Sequence, residues 1–291
     1  MSKNDSRFQV KFMSFMFKGK EIFKPLNTGF IDDRVSCIRE YVANIYFYTK
    51  DGHTIMIDAG YNYDRLAEKM QWLNLNATDI KEILVTHQDT DHVGAIEQGS
   101  DELFRDATIY IGNVENEYLE GRKHRKVFWG LTTLPQVIIK NPKILVEDGQ
   151  IFYIGNIKIE AFLVPGHTWG HLVYLIDDSY LFTGDTLWLG ADGGYAFLNT
   201  LAEDRKLQCQ SLLRLKEILV KRNLQLKIIT GHTGWTDDFA FAFAHIDEIC
   251  NSMRRKPKVH DPKAPYDGFD ESEDTEENAR SGYLAQCYKA I

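Results

Sequence analysis

The chain has 291 residues, of which 44% are hydrophobic and 26% are charged, and its formal net charge at pH 7 is −8. That hydrophobic share is enough for a large folded core, which excludes a disordered chain. The negative charge disfavours nucleic acid as the main partner, because phosphate binding requires a basic surface. No continuous apolar stretch approaches the ~20 residues that a membrane span needs, so no membrane partner is expected.

The N-terminal half predicts a sheet with helices beside it. Apolar and β-branched runs predict strands at residues 8–17, 41–49, 54–58, 83–86 and 107–111. After the third of these strands, Leu66, Met70 and Leu73 recur at steps of four and three, which predicts an amphipathic helix. A short helix is expected to start at Asp91, whose carboxylate could also cap it.

Two segments depart from this regular pattern. Residues 113–136 interrupt the strands and include the basic run Lys123-His124-Arg125-Lys126, which we interpret as a solvated face. Residues 254–291 contain an acidic run from 271 to 277 and are predicted as a loosely packed C-terminal arm. A short helix that docks this arm onto the body would use Tyr283, Leu284 and Tyr288.

The second half predicts a meander of strands. These strands are expected at residues 144–147, 151–154, 157–163, 171–177 and 180–184, with a later one at 226–230. Three pairs of residues are predicted as hairpin turns, namely Asp148-Gly149, Gly155-Asn156 and Asp177-Asp178.

Two helices are predicted in the same half. Leu212, Leu215 and Leu219 form one apolar stripe, which predicts a helix at 203–222. A last long helix is expected to begin at a cap formed by Asp237 or Asp238 and to reach Met253. Its inward face would carry Phe239, Phe243 and Ile246.

The most informative segment follows the apolar run at 83–85. His87, Asp89, Asp91 and His92 lie within six consecutive positions, where one tight turn can bring their side chains together. Imidazole nitrogens and carboxylate oxygens suit Zn²⁺, Fe or Mn²⁺. Because carboxylates crowded together without a cation would repel one another, the segment predicts a metal site.

Four more segments combine an apolar strand with a Gly-containing turn that carries His or Asp. They run into Asp58-Ala59-Gly60, Pro165 to His171, Thr183 to Thr186 and Thr230 to Gly234. Strands fix positions and the turns after them aim side chains, so these segments are expected to meet at one sheet edge. Since such motifs extend from Asp58 to His232, one site needs most of the chain, which predicts a single domain at 1–253.

At residues 40–235 the chain resembles the metallo-β-lactamase-fold hydrolases, with all five family motifs in order. The resemblance implies a four-layer αββα sandwich of the α/β class and two divalent metal ions, with Zn expected and Fe or Mn as alternatives. It implies a first metal held by His87, Asp89 and His167. It further implies a second metal held by Asp91, His92 and His232, a bridging Asp185, and Asp58 as a hydrogen-bonding partner of a ligand or turn.

One position departs from the family pattern, because Asp89 stands where the family has a second His. The additional negative charge would bring the site close to neutral, and a carboxylate there also accepts Fe or Mn²⁺. Three interpretations stay open: a two-metal hydrolase, a diiron enzyme that reduces oxygen or nitric oxide, and a site with one metal in which Asp89 does not bind.

The resemblance implies metal-assisted hydrolysis by a water that two ions share, with Asp91 orienting the nucleophile and passing its proton to the leaving group. A small ester, lactone or thioester is the expected substrate, and a phosphodiester is the alternative. A catalytically silent binding protein on the same scaffold is a further alternative. The sequence contains no Gly-x-Ser-x-Gly motif, so a serine nucleophile is not suggested.

Several other polar and aromatic residues have weaker signals. His171 is expected to support the ligands rather than bind metal, and Trp169 and Trp188 could wall a substrate pocket or pack internally. Tyr195 could polarise a substrate carbonyl. Cys37, Cys209, Cys250 and Cys287 lack a CxxC pair, which favours free thiols in a cytoplasmic protein. The sequence leaves the oligomeric state open. The remaining histidines are interpreted as surface or packing residues: His53, His124, His245 and His260.

Overall fold

We analysed a computed structural model that describes residue 15 and residues 22–99, 102, 104–249 and 268–281. Seven strands form the first sheet in the order β1-β2-β3-β4-β5-β6-β9. They are β1 (Gly29–Phe30), β2 (Val35–Glu40), β3 (Ala43–Lys50), β4 (His53–Ile57), β5 (Glu82–Leu84), β6 (Thr108–Gly112) and β9 (Lys143–Val146).

Six strands form the second sheet in the order β10-β11-β12-β13-β16-β17. They are β10 (Ile151–Ile154), β11 (Ile157–Leu163), β12 (Leu172–Ile176), β13 (Tyr180–Phe182), β16 (Lys227–Thr230) and β17 (Gly234–Thr236). Two small sheets join β7 (Lys126–Val127) to β8 (Thr132–Thr133), and β14 (Leu187–Leu189) to β15 (Gly194–Ala196) and β18 (His245–Ile249).

Six α-helices occur in the described residues, together with 3-10 turns at Ala77–Asp79 and Gly184–Thr186. They are α1 (Tyr63–Trp72), α2 (Thr90–Gly99), α3 (Asn113–Leu119), α4 (Arg205–Arg222), α5 (Phe239–Ala242) and α6 (Glu276–Arg280). No helix among the described residues is both long enough and apolar enough to cross a lipid bilayer.

The two large sheets pack face to face, with helices on their outer sides. Both faces of each sheet are buried, because alternate residues of a strand point into different cores. On β3, Ile45 and Phe47 face the helices α1 and α2, whereas Tyr46 and Tyr48 face the second sheet. The second sheet repeats this pattern, since its outer face packs on the leucine stripe of α4. Three apolar cores therefore separate four layers, which confirms the predicted α/β αββα sandwich.

Most predicted strands of the two large sheets occur within about two residues of the expected bounds. Gly155-Asn156 joins β10 to β11, and Asp177-Asp178 turns β12 into β13 with positive φ at both residues. The hairpin predicted at Asp148-Gly149 is wrong, because that turn carries the chain from the first sheet to the second. Strand β2 was not predicted.

The predicted long helix after Asp238 is also wrong. Asp238 does cap a helix, through a hydrogen bond of 2.9 Å from the Phe241 amide, but α5 ends after four residues. The chain then forms β18, which pairs in parallel with β15 at Tyr195 and Ala196. This strand pairing therefore overrides the helical periodicity of the sequence. The backbone of β15 also lies against Ala242 at Gly194, where any Cβ would clash. Residues 250–253 lie outside the described residues.

The N- and C-terminal predictions are only partly covered. Of the strand predicted at 8–17, Phe15 alone is described, and it is helical and exposed rather than part of a strand. Within the predicted loose arm, residues 268–281 pack on the body: Lys69 of α1 donates to Asp274 at 2.5 Å, with both side chains buried. The rest of the arm, including its docking helix, lies outside the described residues, and the division at residue 253 stays a prediction.

Candidate metal centre

Four turns converge at one edge of the two sheets. His87, Asp89, Asp91 and His92 lie between β5 and the first turn of α2; His167 follows β11, Asp185 follows β13, and His232 lies between β16 and β17. The structure thus brings together every residue predicted as a ligand. All of these side chains are buried except that of Asp91, which is 16% exposed.

One group of side chains surrounds the position predicted for the second metal. Donor atoms of Asp91, His92, Asp185 and His232 all lie within 4.8 Å of one another. Nε2 of His92 lies 3.2 Å from Oδ1 of Asp185, and Nε2 of His232 lies 2.9 Å from Oδ2 of the same carboxylate. Four ligand atoms around one zinc ion lie roughly 3–4 Å apart, so this spacing fits a metal ion.

The other group surrounds the position predicted for the first metal. It consists of His87, His167 and Asp185, whose donor atoms again lie within 4.8 Å of one another. Asp89 lies at its margin, with Oδ2 3.1 Å from Nε2 of His167 and 3.7 Å from Nε2 of His87. The Asp185 carboxylate belongs to both groups, as a bridging residue must.

Several of the donor atoms lack a protein partner that could take the place of a cation. Among the described residues, Nε2 of His87, Nε2 of His92 and Oδ1 of Asp185 are buried without a hydrogen-bond partner. Burial would lower the pKa of His92, yet the Asp185 charge raises it well above its usual value. A cluster that attracts a proton so strongly also attracts a metal cation. The residues present therefore fit a divalent ion.

Asp58 holds two of these motifs together. After β4 its backbone takes φ +58°, and its carboxylate accepts hydrogen bonds from the Thr86 amide, the Thr86 hydroxyl and Nδ1 of His92, each at 2.8 Å. Because Nδ1 of His92 donates, its Nε2 presents a lone pair to the site. The Thr86 hydroxyl lies 3.0 Å from Nδ1 of His87 and can accept its proton in the same way.

His171 supports the site without facing it. Its ring stacks on His87 at 4.8 Å, and its Nε2 accepts a hydrogen bond of 3.1 Å from the Asp185 amide. Burial holds the pKa of His171 well below its usual value, so the ring stays neutral and can accept. Gly231 lies beside the same carboxylate: a Cβ there would lie 2.5 Å from Oδ1 of Asp185, so this turn requires glycine.

Arg125 contradicts the interpretation of residues 123–126 as a solvated face. Its side chain is 1% exposed, and Nε and Nη2 contact the two oxygens of Asp89 at 2.8 and 3.2 Å. Although burial would raise the pKa of Asp89, the guanidinium holds it well below its usual value. Arg125 therefore offsets the negative charge that Asp89 adds to the site. The extra carboxylate could have indicated that some buried cation accompanies it, but the sequence does not say which residue supplies that cation.

Glu115 is a second residue that sequence reasoning missed. This fully buried side chain of α3 accepts hydrogen bonds of 3.0 Å from the Gln88 amide and from the Gly170 amide. Gln88 lies between two predicted ligands, and Gly170 lies between His167 and His171. Glu115 thus fixes the two ligand turns relative to each other.

The aromatic residues near the site are not all those that the sequence suggested. Trp188 is buried and donates from Nε1 to the Ile22 carbonyl, and Tyr195 is buried with its hydroxyl on Asp192. A pocket role for either residue stays a prediction. Phe197 stacks on the His232 ring at 5.5 Å, and Phe23 contacts the same ring edge-on at 5.1 Å.

Trp169 does face a cavity. It is 44% exposed and, with Trp129, forms aromatic walls of a surface cavity of about 610 Å³. Lys123, His124 and Lys126 also line this cavity, as does Glu203. Because the carboxylate of Glu203 bonds the Trp169 amide at 3.0 Å, the cavity is joined to the turn that carries His167.

The chain belongs to the metallo-beta-lactamase superfamily, whose family profile matches residues 38–243. It is 28% identical over 179 residues to the probable polyketide biosynthesis zinc-dependent hydrolase BaeB of Bacillus velezensis, covering 62% of this chain and 67% of that protein. It is also 28% identical over 186 residues to hydroxyacylglutathione hydrolase of Pelagibacter ubique, covering 63% and 64%. The match spans about two thirds of the length of each relative.

Solved structures show the same fold. A beta-lactamase from Chitinophaga pinensis superposes with a TM-score of 0.55 at 20% identity, over 73% of this chain and 80% of that one. At this identity the likeness concerns the fold alone. The predicted superfamily is confirmed, and the named relatives support the predicted class of metal-dependent hydrolase over the redox and phosphodiesterase alternatives.

Proposed function

We propose that this protein is a metal-dependent hydrolase that uses two divalent ions, most simply zinc, to cleave a small thioester. One observation carries the proposal: two clusters of buried donor atoms share Asp185, and three of those atoms have no hydrogen-bond partner among the described residues. In this proposal His87, Asp89 and His167 hold the first ion, and Asp91, His92 and His232 hold the second. Bound ions of this kind supply a Lewis acid and an activated water.

The chain's own residues supply orientation and proton transfer. Asp91 is the most exposed of the seven proposed ligands, with 16% of its side chain open to solvent, and its Oδ2 lies 3.4 Å from Nε2 of His232. Burial raises the pKa of Asp91. Its carboxylate is therefore suited to orient the attacking water and to carry a proton to the leaving group. Phe197 and Phe23 shield the His232 side of the site from water.

A thioester is favoured over the other carbonyl substrates for two reasons. One matched relative is named as a hydroxyacylglutathione hydrolase, and that name describes a thioesterase substrate class for that protein. The cavity beside Trp169 combines aromatic walls with lysines, which suits a substrate with an apolar arm and an anionic group. Esters and lactones are the next substrates to test.

The named relatives weaken the diiron alternative, because both are named as hydrolases. We further propose a small-molecule substrate in the cytoplasm, without a nucleic-acid or membrane partner. The net charge of −8 supports the absence of a nucleic-acid partner. The two described cysteines, Cys37 and Cys209, are free thiols, which supports the location.

The test is metal content followed by a substrate panel on the same sample. Protein purified without added metal is expected to contain Zn and to hydrolyse thioesters faster than lactones or phosphodiesters. Asp185→Asn should lose both metal and turnover, whereas Asp178→Asn, at an exposed turn, should retain both. Full turnover by Asp185→Asn, or stoichiometric iron with consumption of oxygen, would contradict the proposal.

A further inference from the structure

Arg125 is placed at the margin of the first metal position. It lies directly before β7, and its guanidinium is fixed on several sides: Nη1 donates to the Lys126 carbonyl at 3.1 Å and Nη2 donates to the Leu201 carbonyl. Nε and Nη2 bind both oxygens of Asp89. The side chain is thus held by the backbone as well as by the carboxylate.

The same guanidinium reaches a predicted metal ligand. Nη2 lies 3.3 Å from Nε2 of His167, with an N–H directed at that nitrogen. Because a guanidinium can only donate, this contact uses the lone pair of Nε2. A metal ion at the first position would need this same lone pair. Arg125 has only donors and keeps its charge at any ordinary pH, so it opposes a cation there.

The second position has no such competitor. Among the described residues, no Arg or Lys forms an ion pair with Asp91 or Asp185, whose ion pairs are all with histidines. The Nδ1 atoms of its two histidines are also fixed, His92 by Asp58 and His232 by the Val42 carbonyl at 2.6 Å. The ligands of this position are therefore oriented and electrostatically unopposed.

We infer that Arg125 makes the two metal positions unequal: the position of Asp91, His92 and His232 binds its ion first and tightly, and that of His87, Asp89 and His167 binds weakly. This inference rests on the proposed two-metal function. It assigns Arg125 as a positioning residue that sets metal loading through Asp89 and His167. A fixed unit charge a few ångströms from a cation changes its affinity by at least about tenfold in a protein interior.

Stepwise Co²⁺ titration in the presence of a competing chelator tests the inference, with visible absorption reporting each site. The wild-type protein should bind one equivalent at least about tenfold more tightly than the next. His232→Ala should abolish the tight step, and His167→Ala should abolish the weak step. Two steps of equal affinity in the wild-type protein would overturn the inference.

Replacing Arg125 should raise the affinity of the weak Co²⁺ step, whereas structural damage would lower it. Arg125→Gln should tighten the weak step by at least about tenfold, whereas Arg125→Lys keeps the charge and should leave it weak. Arg122→Gln, an exposed control in the same loop, should match the wild type. A folded Arg125→Gln protein whose weak step is unchanged or weaker would overturn the inference.

Removing Arg125 leaves Asp89 buried without its cation, and that variant could fail to fold. The double variant Asp89→His with Arg125→Gln avoids this, because both new side chains are neutral. It should bind two equivalents of Co²⁺ with similar affinity, and a persistent weak step would overturn the inference. Failure of the proposed function gives a different result: no high-affinity Co²⁺ step in any of these proteins, the wild type included.

Discussion

Asp58→Asn tests how far a residue outside the ligand set controls the metal centre. The Asp58 carboxylate accepts from the Thr86 amide with Oδ1, and from the Thr86 hydroxyl and Nδ1 of His92 with Oδ2. An amide of the same shape has one acceptor and one donor, so it cannot satisfy all three groups. Either orientation of the new side chain has a distinct consequence.

If the amide nitrogen faces His92, Nδ1 of that ring must become an acceptor, and the proton moves to Nε2, where it blocks metal binding. Loss of a hydrogen-bond partner of a metal-binding histidine reduces metal affinity about 10–100-fold, or roughly 1.4–2.7 kcal/mol. If the amide nitrogen faces the Thr86 amide instead, two donors oppose each other, which costs about 1–3 kcal/mol of folding stability.

Two measurements separate these outcomes. Chelator competition gives the Zn²⁺ affinity, and thermal denaturation of the metal-free protein gives the stability. Asp64→Asn, an exposed change at the start of α1, is the matched control and should alter neither quantity. An Asp58→Asn protein with wild-type Zn²⁺ affinity and wild-type metal-free stability would refute the reasoning about the His92 proton.

Two further predictions concern a turn and a buried acid. Gly231→Ala places a Cβ 2.5 Å from Oδ1 of Asp185, so it should reduce metal content and turnover together, as metal analysis and assay on one sample would show. Burial raises the pKa of Glu40 to about 7, above its ordinary value of 4.5. The folded state therefore holds this proton more tightly than the unfolded state. The resulting stability is fully present below pH 4.5 and is lost as the pH rises through about 7. Glu40→Gln should flatten this part of the stability profile in urea denaturation, and an unchanged slope would count against it.

The sequence was sufficient where local pattern and tertiary structure agree. Every proposed ligand follows a strand at a glycine-containing or polar turn, so strand prediction and ligand prediction supported each other. The helix at Arg205–Arg222 was predictable for the same reason, since its leucine stripe faces a core. The two-residue turn at Asp177-Asp178 needed only its own composition and neighbours.

Prediction failed where a distant contact determines the outcome. Arg125 is buried beside Asp89, which lies 36 positions earlier, while its neighbours Lys123 and Lys126 are exposed. Composition alone could not separate these three basic residues. Strand β2 was missed because it buries Arg39 and Glu40, which read as surface residues until their partners are known.

The attachment of residues 268–281 limits how far the protein can be shortened. Lys69 has its ammonium on Asp274 and on the Arg39 carbonyl, and Arg65 bridges Glu40 to Glu271. A shortened version that ended before Glu271 would leave Lys69 with no carboxylate in a water-poor interior, a far greater penalty than losing a surface tail. The acidic stretch therefore holds α1 in place, and any tag or fusion should be joined beyond it.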